Sequence, residues 1–436
     1  MQRPVALPSP AWRIIPVIMH QAGGTSTTAA SRLRAWYASV APSLAYRDFR
    51  NLWLSTVAAS VGMWMEQVAL GWMVLELTDS PFMVGVAYGV RMAPFFFFGL
   101  VAGALADRVN RPLFLRFINA GVAGVAVTLA VLIFLDMVQV WHVLAIAFVM
   151  GALRALYMAL RQSFAYDVVG SANALNGLAF LSISMRVGGL AGGPLAGAII
   201  VAVGAGGAYL AMGGSYLVSV LALLLVKEQG QAAPTSREPM LQNLRGGFRL
   251  MRSNRVLASL TAMAAGTEVL GYSHTMIMPI LARDVLGVGA AGLGVMMAFR
   301  SLGGMAGVAL LAGTSHLLGL GKLLLACVGL FGLGLVLLGY SPTFLLVLVA
   351  LLFVSAVASA TDVLIPTLMQ RSVSNEQRGR AMGGWALGIG VGPVGHMELG
   401  ALAGALGPPV ALAINGVALG AVAALYVLGM PRIRRL

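Results

Sequence analysis

Twelve apolar runs, each long enough to cross a bilayer, decide what this chain can become. They fall at about 52–77, 82–106, 113–135, 141–161, 176–203, 207–226, 256–282, 289–314, 321–340, 343–369, 380–405 and 409–430. A helix needs about 20 apolar residues, at roughly 1.5 Å rise each, to span the hydrocarbon. In lipid every backbone N–H and C=O must be satisfied within the segment, so runs of this length have to be helical. The links Thr78-Asp79-Ser80-Pro81, Gly204-Ala205-Gly206-Gly207, Ser341-Pro342 and Gly407-Pro408-Pro409 leave room only for a reversal, so neighbouring helices run antiparallel. Composition closes off the soluble alternative. Of 436 residues, 10% are charged and 59% hydrophobic, against roughly 25% charged in an ordinary soluble domain.

The charges sort by loop. Links after even-numbered runs carry Arg108, Arg111 and Arg116, then Arg161, then Lys227 through Arg255, then Lys322, then Arg371, Arg378 and Arg380. The tail adds Arg432, Arg434 and Arg435. Links after odd-numbered runs are nearly free of Lys and Arg, with Arg283 the exception. The positive-inside rule then predicts both termini in the cytoplasm. The net charge of +14 needs no nucleic acid to explain it, because the basic residues lie beside one membrane face. Residues 1–50, with six Arg and several Pro and Ser, read as a basic cytoplasmic tail. Cys327 has no partner for a disulfide and sits in an apolar run as a packing residue.

Six runs lie on each side of a polar stretch, 227–255. That stretch begins as a flexible linker, Gln229 to Ser236. It then places Leu241, Leu244, Phe248 and Met251 at helical spacing beside Arg245, Arg249 and Arg252, as in an amphipathic surface helix. The expected domains are therefore a tail (1–50), a six-helix bundle (51–226), the linker (227–255), a second bundle (256–430) and a basic tail (431–436). The halves echo each other. Gly85-Val86 and Arg91 match Gly294-Val295 and Arg300 at one separation, and Gly193-Pro194 is matched by Gly392-Pro393. Repeated halves about an axis along the membrane normal are a transporter architecture, with the substrate near the midplane between them.

With these residues in view, the chain resembles the major facilitator superfamily. Gly103-x-x-x-Asp107-Arg108-x-x-Arg111 is similar to that family's signature between spans two and three, although Asn110-Arg111-Pro112 stands where a Gly and a basic run are usual. Gly62 through Leu70, Leu77-Thr78-Asp79-Ser80-Pro81 and Arg378 through Gly383 resemble the branch that contains enterobactin and macrolide exporters. Gly189-x-x-x-Gly193-Pro194-x-x-Gly197 resembles a span-five motif of exporters and antiporters. The resemblance implies an all-α membrane protein, twelve transmembrane helices in two pseudo-symmetric six-helix bundles, working by alternating access. It implies that Gly103, Asp107, Arg108 and Arg111 form a conformational latch, and that spans one, four, seven and ten line the cavity. Where the first half carries Asp107-Arg108, the second has His316-Leu317, so the second latch is degenerate.

Ionisable residues within spans are the remaining pointers, since at mid-bilayer they normally face protein or water. The acids are Glu66, Glu268, Asp362 and Glu398; the bases are Arg91, Arg154, Arg186 and Arg300. By the resemblance, Glu66, Glu268, Arg154 and Asp362 belong to the cavity. Glu66 or Asp362 is the expected proton carrier; the competing reading is a structural bridge between Asp362 and Arg154. Arg186 serves either an anionic substrate or helix packing. Trp64, Trp72, Tyr272 and nearby Met residues suit an amphipathic cargo, while His274 and His396 stand alone. No phosphate loop, Cys/His cluster or Gly-x-Ser-x-Gly elbow points to an enzyme, a cofactor or a metal. The expectation is a proton-coupled exporter of small amphipathic compounds in the bacterial inner membrane, complete as a monomer. An importer or facilitator, a scaffold or receptor, and a lipid mover stay open as alternatives.

Overall fold

A computed structural model describes residues 40–106, 109–228, 249–314 and 319–434, and among them all regular structure is helical. After a short turn at Pro42–Ala45 come α1 (Arg47–Thr78), α2 (Pro81–Ala106) and α3 (Arg111–Phe134). Val140–Leu224 follows as helix interrupted only at Gly170 and Gly204, which divides it into α4 (140–169), α5 (171–203) and α6 (205–224). The second half contains α7 (Arg255–Leu270), α8 (Gly289–Thr314), α9 (Leu320–Gly339) and α10 (Phe344–Arg371). It ends with α11 in two pieces, α11a (Arg378–Ile389) and α11b (Gly392–Leu406), then α12 (Pro408–Gly429).

The reversals are built from local chemistry. Gly170, Gly204 and Gly407 have φ of +70°, +78° and +84°, with ψ near 170°, 177° and 156°. That is a region essentially reserved for glycine, and it lets one rod turn into the next with no loop. α1 ends at Asp79, whose φ is +47°, and Pro81 opens α2, where a missing N–H costs nothing. Asn110 caps α3 by accepting from the Leu113 N–H at 3.1 Å, and Asn254 caps α7 by accepting from Val256 and Leu257.

Polarity is inverted relative to a soluble protein. Large apolar side chains point outward, Leu221, Leu345, Leu425 and Leu428 among them, while Ser55, Asn119 and Ser219 are buried and joined: Asn119 donates to Ser219 at 2.8 Å, and Ser219 shares a 2.7 Å bond with Ser55. This suits a lipid surround, which supplies no hydrogen bonds.

Three expectations need correction. Arg161 does not lie in a loop: α4 continues to residue 169, and Arg161 faces the interior of the first bundle, not lipid or a loop. The seventh span is not one helix. It breaks at Gly271 into a 3-10 turn, Tyr272–Ile277, and an irregular run to Val285. The eleventh breaks at Gly390–Val391. The expected linker helix lies mostly outside the described residues, which resume as helix at 249–253.

The two bundles, α1–α6 and α7–α12, meet along two seams, α5 against α8 and α2 against α11b. Gly193 faces Gly294 and Met297, and Gly197 faces Ala290. In the other seam Gly85 faces His396 and Gly400, and Gly89 faces Pro393. The sequence echoes thus meet as partners: Gly294 against Gly193-Pro194 in one seam, and the stretch Gly85–Gly89 against Pro393 in the other. Small residues allow this approach; a methyl added at Gly294 would sit 2.6 Å from the Gly193 carbonyl oxygen. α5 carries a second glycine face, Gly188 and Gly192, packed on Ser60, Val61 and Trp64 of α1.

Candidate functional site

Between the seams is a cavity of about 90 Å³ shared by both bundles. α1 supplies Trp64, α5 Arg186, α8 Arg300, α10 Ser355 and Ser359, and the broken end of α7 Tyr272 and His274. The break at Gly271 is what delivers these two rings. The 3-10 turn directs them inward, where Tyr272 donates to the Ala358 carbonyl at 2.7 Å and packs edge-on to Phe331. His274 Nδ1 bonds the Gly271 carbonyl at 2.7 Å, while its buried Nε2 has no partner among the described residues. With Nδ1 as the donor, Nε2 is an acceptor awaiting a donor.

Arg300 lies over the Trp64 ring, 5.2 Å from its centroid, a cation–π contact between bundles. Trp64 is held by its own N–H, which donates to the Met185 carbonyl at 3.1 Å. Arg186 approaches Gly304 of α8 across the seam. Neither Arg186 nor Arg300 forms an ion pair among the described residues.

The predicted acids divide. Glu66 is buried and bound by Arg91 through two parallel bonds of 2.7 and 2.8 Å, the bidentate geometry that suits guanidinium and carboxylate. Asp362 has no ion pair among the described residues. It is exposed, it continues the α10 face that carries Ser355 and Ser359, and it lies within electrostatic range of Arg186 and Glu268. Glu268 is buried against Gly392 at the start of α11b. Arg154 does not bridge to Asp362. It stays within the first bundle, its guanidinium 5.8 Å from the Phe95 ring centroid. Glu398 accepts from Asn415 of α12 at 3.1 Å, a contact inside the second bundle. Of the exporter-like motif, Gly189 faces Ser301 and Trp64, so Gly189, Gly193 and Gly197 line the first seam.

Of the expected latch, Asp107 and Arg108 lie outside the described residues, as do His316 and Leu317, and Gly103 occupies the last turn of α2. Arg111 is buried and paired with Asp167 at the end of α4. Sequence reasoning passed over Asp167, because it sits beyond the apolar run. On the opposite face Arg283 is paired with Asp79 of α1 and with Asp284, and donates to the Leu75 carbonyl at 3.0 Å. Hydrogen bonding to Asp284 and then Asp79 raises its pKa above the ordinary arginine value despite partial desolvation. The break in the charge pattern thus joins the two bundles. Tyr88 on α2 stacks on His396 of α11b at 5.8 Å, within the second seam.

Residues 37–435 match the family model described as transmembrane secretion effector, so the chain belongs to that family of the major facilitator superfamily. It is a multi-pass membrane transporter, not an enzyme. It is 24% identical over 413 residues to the Enterobactin exporter EntS of Citrobacter koseri, covering 92% of this chain and 96% of the relative. It is 25% identical over 280 residues to the Staphyloferrin A transporter of Staphylococcus aureus, covering 63% and 69%. Among solved structures, a bacterial homologue of the human lysosomal transporter Spinster, inward-facing and occupied, superposes with a TM-score of 0.70 at 15% identity, covering 88% and 97%. A mutant of the peptide transporter POT superposes at 0.74 with 10% identity, covering 89% and 95%. At such identities the structures speak for the fold alone.

Proposed function

We propose that this chain exports a small amphipathic organic compound bearing an anionic group across the bacterial inner membrane, by alternating access and in exchange for protons. The observation that carries the reading is the cavity between the bundles: Arg186 from one half and Arg300 from the other, neither ion-paired among the described residues, beside Trp64, Tyr272 and His274. The guanidiniums suit a carboxylate or a similar oxyanion, the rings suit an apolar body, and His274 Nε2 suits a hydroxyl or N–H on the same compound. The named cargoes of the relatives, enterobactin and staphyloferrin A, and the word exporter in one of the names, favour outward movement of a siderophore-like compound.

Between the two proton candidates, geometry favours Asp362. Glu66 is already satisfied by Arg91, so releasing it means leaving Arg91 buried and alone. Asp362 is exposed and within electrostatic range of Arg186, so protonation and substrate binding compete for one electrostatic neighbourhood. The rocking units are the bundles 51–226 and 256–430, joined by 227–255, with both termini cytoplasmic and the whole pathway in one monomer. Contacts between the bundles gather toward the face opposite the basic loops, while α11a packs on α7 through Gly384 and Gly388. This supports a state open toward the basic face.

The test is transport of a siderophore-type anion in liposomes under an imposed pH gradient. Asp362→Asn is expected to abolish stimulation by the gradient while leaving counterflow. Full gradient stimulation in that variant would remove Asp362 from the mechanism.

A further inference from the structure

A second cavity lies inside the first bundle, enclosed by α1, α3, α4, α5 and α6, with a volume of about 30 Å³. That is room for about two water-sized bodies, too little for an organic cargo. Arg154 and Arg161 line it, seven residues apart and so two turns apart on one face of α4. Arg161 is 4% exposed. Its Nε and Nη1, the Nε of Arg154 and the acceptor oxygen Oδ1 of Asn119 all lack a hydrogen-bond partner among the described residues. Arg161 does touch the Tyr157 ring, 5.6 Å from its centroid, but a ring face is a weak substitute for an anion. The single acid in the lining is Glu66, and both of its oxygens are held by Arg91. Among the described residues one carboxylate therefore serves three guanidiniums, and Arg154 and Arg161 have no ion pair.

Buried cations without a counter-charge are costly, most of all inside a membrane. Water filling the space would meet the N–H donors but not the charge. Arg154 and Arg161 thus border a space of ionic size, with Tyr157 between them on the same helix. We infer that this cavity binds one small inorganic anion of chloride or bromide size, held by Arg154 and Arg161, as a resident ion separate from the cargo. The ion ties α4 to its neighbours and lets the first bundle carry its charges as a rigid unit.

The test uses purified full-length protein in detergent, with sodium bromide replacing sodium gluconate at constant ionic strength. The thermal unfolding midpoint is expected to rise saturably with bromide. Arg161→Met is expected to raise the half-saturating concentration about tenfold or more, the effect of losing one charge-assisted partner, and Arg252→Met on the basic face to leave it unchanged. Arg161→Lys, which keeps the charge, is expected to fall between. Anomalous diffraction from bromide-soaked crystals of the unaltered protein is expected to put a peak between Arg154 and Arg161, and this arm needs no variant to fold. A midpoint indifferent to the replacement, an equal bromide response in Arg161→Met, or a cavity holding water alone would each overturn the assignment.

Discussion

Arg91 and Glu66 hold each other in a setting where neither has another outlet. Removing one partner of such a buried pair costs about 3–5 kcal/mol, because the survivor keeps its charge and loses its compensation. Arg91→Met is therefore expected to lower stability by about that amount, read from thermal unfolding in detergent, while the double variant Arg91→Met/Glu66→Gln recovers most of it. If the double variant were as unstable as the single one, packing and not charge would be the role of Arg91. Both residues were visible in the sequence as intramembrane charges, but not as partners, since they stand twenty-five positions apart on different helices. The pairing of Arg111 with Asp167 was hidden for the same reason. Asp362 gave the opposite outcome: the sequence offered Arg154 as its partner, and helix packing keeps Arg154 in the other bundle.

At the level of the helix, glycine does two separate jobs here. In the seams it removes bulk. Gly294→Leu is expected to hold α5 and α8 apart and to reduce transport at least tenfold, the range reached when small misplacements disturb a pre-organised site. Gly124→Ala, where an added methyl meets nothing within 4 Å, is expected to transport normally. Equal transport by both would separate the seam from function. At Gly170 and Gly204 glycine supplies backbone conformation, and Gly170→Ala is expected to cost about 1–3 kcal/mol. The twelve rods were legible because lipid demands long uninterrupted apolar helices, and the repeat was legible because both seams need small residues at matching heights. The breaks in α7 and α11 were not legible. Neither interrupts apolarity, and Gly271 and Gly390 look like any other of the 55 glycines. Yet the first break is what brings Tyr272 and His274 into the cavity.

For the molecule as a whole, the described contacts between the bundles include the glycine seams, the Tyr88–His396 stack, the Arg300–Trp64 cation–π contact and the Arg283–Asp79 ion pair. That pair joins α1 to the end of the seventh span on the face opposite the basic loops, and Asp79 is largely exposed. With the guanidinium pKa raised from an already high value, the arginine's contribution is present at all lower pH and is lost only above that strongly alkaline range. The joint should therefore answer to salt, by screening, and not to pH through the arginine. The alternating access proposed above requires this joint to open in every cycle. The most direct test is an Asp79→Cys/Arg283→Cys variant in a Cys327→Ser background, joined by a short crosslinker with a cleavable disulfide and assayed in liposomes. Transport is expected to stop on crosslinking and to return on reduction. Undiminished transport by fully crosslinked protein would contradict the two-bundle rocking account.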